Sequence, residues 1–81
     1  MTVEYSPRER EIILLLAAGL MQWQIVKWLD IKRETVKSHM TSIRSKAGGL
    51  TNEAIVADAV CSGLILGWDI KVMRERVFPS A

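Results

Sequence analysis

The sequence predicts an all-α fold: four helices forming a helix-turn-helix domain, then a short C-terminal extension. Three observations lead there. A nearly complete helix-start signature stands at Ser6-Pro7-Arg8-Glu9; glycines at 19, 48, 49 and 63 punctuate the chain; and between them apolar residues return at helical spacing. Eighty-one residues make one domain whose small core depends on economical packing of a few helices. We divide it into a helix-turn-helix unit over residues 1–63 and an extension over 64–81 packed on or next to it.

In the first helix Ser6 serves as N-cap, Pro7 occupies the first helical position and Glu9 closes a capping box. The helix runs to about Ala18, with Gly19 as a left-handed C-cap, and turns Ile12, Leu16 and Leu20, joined by Ile13 and Leu15, inward. A second helix over about 22–29 presents Ile25, Val26 and Leu29 as its inner stripe and leaves Trp23 and Trp28 on its two sides. Only a turn around Asp30-Ile31 separates it from a third helix over about 33–46. Two helices joined so tightly cross steeply, which is the geometry of a helix-turn-helix unit, with Ile31 plugging the corner.

The third helix carries the strongest functional signal. At about 100° per residue, Val36, Met40, Ile43 and Ala47 fall on one stripe, and Glu34, Ser38, Thr41 and Ser45 lie opposite. Arg33, Lys37 and Arg44 line one shoulder; Thr35, His39 and Lys46 line the other. Short side chains allow such a helix to enter a groove of duplex DNA, and cations on its shoulders meet the phosphates of the walls. Lys37 has the reach for a guanine acceptor pair, and Ser38 and Thr41 stand on the outward edge. Residues 32–46 hold five cations against one carboxylate, a net +4 in a chain of net +2, so the remainder sums to −2. Charge is concentrated on one element.

Gly48-Gly49 ends this helix, and Thr51 or Asn52 caps a fourth that runs to about Ser62 with Ile55, Val56, Ala59 and Val60 as its apolar surface. Beyond Gly63 the pattern divides: Ile70, Met73 and Val77 fit a helix, Ile70 and Val72 an extended strand, and Pro79 closes any helix there. Trp68 either completes the core or stands exposed.

Composition excludes several classes. The single cysteine, Cys61, forms no internal disulfide and reads as a small buried hydrophobe in a reducing compartment. One histidine, one cysteine and serines without a positioned base give no nucleophile or water activation, no Cys/His cluster has zinc spacing, and the glycines form no phosphate loop, so neither an enzyme nor a cofactor is expected. The apolar run over 12–21 is well short of the roughly 20 residues of a spanning helix, and the stretch over 54–68 carries Asp58. With no secretory signal at the start, a soluble cytoplasmic protein without a membrane partner is expected.

The chain resembles the LuxR/GerE family of bacterial DNA-binding transcription regulators over about residues 6–60. The likeness rests on Ser-Pro-Arg-Glu-Arg-Glu at 6–11, Ala-Ala-Gly at 17–19 and Thr-Val-Lys-Ser-His at 35–39 followed by Ile43 and Lys46, in the family's order and spacing. It implies that the third helix enters the major groove of double-stranded DNA, with Lys37, Ser38 and Thr41 toward base edges and Arg33, Thr35 and His39 toward the backbone, where the helix shoulders add Arg44 and Lys46. It also implies a homodimer through the fourth helix, around Ile55, Val56 and Ala59. Only five residues precede Ser6, so a stand-alone member without a receiver or ligand-sensing domain is expected.

Four features depart from the family pattern. Lys32 replaces the usual Ser or Thr cap of the third helix; Met21-Gln22-Trp23-Gln24 replaces a polar Ser-Asn-Lys-Glu opening; Asp30 replaces Gly before the turn Ile; and the tail runs past the family domain. Met21, Trp23 and Trp28 therefore form a possible partner patch. The alternative function is a protein-interaction module on the same scaffold, binding another regulator or RNA polymerase through these residues and the tail.

Overall fold

The computed structural model describes residues 4–79, which form five helices and no strand: α1 (Pro7–Ala17), α2 (Gln22–Leu29), α3 (Arg33–Lys46), α4 (Asn52–Cys61) and α5 (Gly67–Val77). α1 is the central element, touching each of the other four, and α2 and α3 pair with each other.

The helix ends follow from local chemistry. Ser6 Oγ accepts from the Glu9 N–H at 3.1 Å and Glu9 Oε1 accepts from the Ser6 N–H at 2.8 Å, a closed capping box. At the other end Gly19 sits at φ 100°, with the Leu20 N–H donating to the Leu15 carbonyl and the Gly19 N–H to that of Leu16. This is a Schellman stop, which needs a residue without Cβ strain at the left-handed position. The same bonding closes α3 at Gly48 and Gly49. α4 begins on Thr51, whose Oγ1 accepts from the Ala54 N–H at 3.2 Å. Lys32, at the head of α3, makes no side-chain cap.

One core joins the first four helices: Ile12, Ile13 and Leu15 from α1, Leu20 beyond it, Ile25 from α2, Val36, Met40 and Ile43 from α3, and Ile55 and Ala59 from α4. Leu16, expected inside, is half-buried. Ile31 packs against this core from the α2–α3 turn, where Asp30 takes the left-handed conformation at φ 52°.

The tail resolves as a helix. α5 lies on α1 and leans Ile70, Met73 and Val77 against the core, the helical of the two patterns read in the sequence. Ile65, in the link before it, is buried. Trp68 takes no part in the core and is 68% exposed beside the Lys71 ammonium.

Two assignments need correction. Ile55 and Ala59 are 1% and 2% exposed within the single chain, so neither has surface left for a dimer partner; Val56 is half-buried and Val60 faces solvent. Cys61, expected inside, is exposed on the outer side of α4. Both follow from the register of α4. Of its two adjacent apolar columns, the one containing Ile55 and Ala59 turns inward and the one containing Val60 turns out.

Candidate nucleic-acid interface

α3 presents its polar edge to solvent along its length. Glu34, Lys37, Ser38, Thr41 and Ser45 are exposed, and with Ser42 and Lys46 they line one shallow open trough. Val36, Met40 and Ile43 on the opposite side are the reason the edge is fixed, because rotating α3 about its axis would pull three buried side chains into water. Roughly 21 Å long at 1.5 Å per residue, the helix is thin enough for a major groove about 12 Å wide.

The two shoulders are tied down differently. On one, the Arg44 guanidinium donates to Asn52 Oδ1 on α4 at 3.0 Å, while Arg33 and Lys37 are exposed and make no ion pair among the described residues. On the other, Lys46 Nζ donates to Glu9 Oε1 and Ser42 Oγ to Glu9 Oε2, each at 2.6 Å. Thr35 on this side is exposed and His39 half-buried. Sequence reasoning placed Lys46 toward a DNA backbone; the structure pairs its charge with Glu9.

Glu9 is the polar centre of this arrangement and was legible in the sequence only as a cap. It is 3% exposed. Burial pushes its carboxyl up, but the hydrogen bonds from Lys46, Ser42 and the Ser6 N–H outweigh that and hold it at about 2. Tyr5 stands close by, its phenol pushed above the ordinary value by burial and then by the charges of Asp58 and Glu9. The start of α1 and the end of α3 are thereby locked through one carboxylate.

Met21 and Trp23 at the head of α2 and Trp28 in its last turn are all exposed, and the Lys27 ammonium lies 5.4 Å from the Trp23 ring centre. Met21 also borders a depression whose walls include Leu16, Leu20, Met40 and Val56. Among the described residues no cluster of His, Cys, Asp or Glu is suited to a metal ion, and no helix is long and apolar enough to cross a membrane.

An all-helical domain with a short α2–α3 turn and an outward polar edge on α3 has the form of a helix-turn-helix module. The family model described as bacterial regulatory proteins, luxR family, matches residues 4–48, more than half of the chain. The chain belongs to this family, whose members are DNA-binding transcription regulators and not enzymes. No curated protein and no solved structure matches it. The matched segment spans α1 to α3, and α4 and α5 lie beyond it.

Proposed function

We propose that this protein is a sequence-specific transcriptional regulator that inserts α3 into the major groove of DNA, acting as a homodimer on an inverted repeat. The observation that carries the reading is the exposed edge of Lys37, Ser38 and Thr41 on a helix whose other side is buried. Lys37 supplies donors to guanine, and Arg33, Thr35, His39 and Arg44 address phosphates. Lys46 is left out of the phosphate set because Glu9 holds its charge. In a two-fold dimer the two copies of α3 lie about 34–36 Å apart, one turn of the duplex. The pairing surface on α4 comes from its outward side, Val56 and Val60 together with Ala57, in place of Ile55 and Ala59.

Selection of bound sequences from a random DNA pool tests this directly. The expected result is a two-fold symmetric motif with half-sites one turn apart. Lys37→Ala flattens the preference at one position, whereas Arg44→Ala weakens all sequences alike and reduces the salt slope by about one. A pool with no enrichment would remove the DNA reading.

A second reading is supported by the exposed Met21, Trp23 and Trp28: the same scaffold docking RNA polymerase or another regulator. Trp23→Ser with Trp28→Ser then abolishes binding to purified RNA polymerase holoenzyme and leaves DNA affinity intact. Retained polymerase binding in that double variant removes this reading.

A further inference from the structure

Within the outward edge of α3, the hydrogen-bonding capacity of each side chain differs in a way the residue types alone do not reveal. Thr41 Oγ1 lies 3.0 Å from the Lys37 carbonyl oxygen. A carbonyl has no proton to give, so the proton in that contact is the threonine's. The Thr41 hydroxyl has therefore spent its one donor on its own helix, and what this exposed residue has left for a partner is lone pairs and a γ-methyl group. Lys37, one turn earlier on the same edge, is the reverse, with three donors and no acceptor. Ser38 is exposed and makes no side-chain hydrogen bond among the described residues, so its hydroxyl gives or takes a proton equally well and discriminates little.

Resting on the reading of α3 as the groove-binding helix, we infer that Thr41 selects an A·T base pair close to a guanine held by Lys37. In the major groove, an acceptor with a methyl group is matched by a base pair offering an amine donor and a methyl. Only A·T offers both, the adenine N6 amine and the thymine C5 methyl; a G·C pair has the cytosine amine but no methyl. Lys37, with donors alone, pairs with guanine O6 and N7. Four residues of α-helix advance about 6 Å, less than two base-pair steps of roughly 3.4 Å, so the two positions lie within about two base pairs of one another. Turning the Thr41 hydroxyl outward to donate to a guanine acceptor would break its bond to the Lys37 carbonyl, which sets an energetic bias against G at that position.

Selection from a random DNA pool with the wild-type protein, Thr41→Val and Thr41→Ser separates this from its premise. The wild type is expected to return a half-site with guanine at one position and A·T within two base pairs of it, preferred at least about fivefold over other pairs. Thr41→Val keeps the methyl and loses the acceptor, so adenine's amine goes unread and the preference falls below about twofold. Thr41→Ser keeps an acceptor, loses the methyl and admits C·G alongside A·T. In both variants the guanine is retained, and circular dichroism matching the wild type establishes that each is folded. A wild-type motif with G·C at the Thr41 position, or one unchanged in both variants, overturns the inference while leaving DNA binding in place. A pool with no enrichment overturns the groove reading itself and this inference with it.

Discussion

The Glu9 carboxylate accepts from the Ser6 N–H, Ser42 and Lys46 while almost all of its surface is removed from water. Its folded value of about 2 lies below the ordinary 4.5, so protons bind more readily to the unfolded chain. The stabilisation is complete above about pH 4.5 and is lost as pH falls toward 2. That difference corresponds to about 3 kcal/mol. Denaturant midpoints measured between pH 7 and 2 are expected to fall through that window in the wild type. In Glu9→Gln they are expected to start lower, by an unfolding free energy on the order of 3 kcal/mol, and to vary much less with acid. A wild-type curve flat to pH 2.5 would contradict this account. The capping role of Glu9 is visible in four consecutive letters of sequence. Its bonds to Ser42 and Lys46 are not, because those partners lie 33 and 37 positions away and meet it only once α1 and α3 have packed.

At the scale of elements, most of the architecture can be read from the chain because it is punctuated. The Ser6 box, Gly19, the Gly48-Gly49 pair and Thr51 each mark a boundary found in the structure within a residue. Two features resist reading for a physical reason. α4 has apolar residues in adjacent columns, and periodicity cannot say which column a neighbouring helix covers; hence Ile55 and Ala59 are core and Cys61 is exposed. The segment after Gly63 satisfies two periods at once, and the contact with α1 decides between them. The legible defect at Lys32 gives a further expectation. Lys32→Ser supplies the missing acceptor for the free amides of the first turn of α3 and raises stability by about 0.5–2 kcal/mol in chemical denaturation. No gain would mean that those amides are already satisfied by solvent.

For the whole molecule, α5 extends the core beyond the matched part of the chain. Its Ile70, Met73 and Val77 cover a side of α1 that the other helices leave open. Ile70 is only half-buried, so Ile70→Ala is expected to cost about 1–2 kcal/mol, less than a fully enclosed isoleucine, with the DNA motif unchanged. A loss of selectivity at unchanged stability would show that α5 reaches the interface.

The unequal ends of α3 also set how it moves. Its last turn is held by the Schellman bonds at Gly48 and Gly49, by Glu9 through Lys46 and Ser42, and by Asn52 through Arg44. Its first turn has no side-chain cap. Amide deuterium uptake should consequently be fastest at Arg33 and Glu34 and slowest around Ile43, a gradient that Lys32→Ser flattens. In the proposed complex, a helix anchored at the heel and loose at the toe would be free to adjust its angle of entry to the local width of the duplex without disturbing the body that carries it.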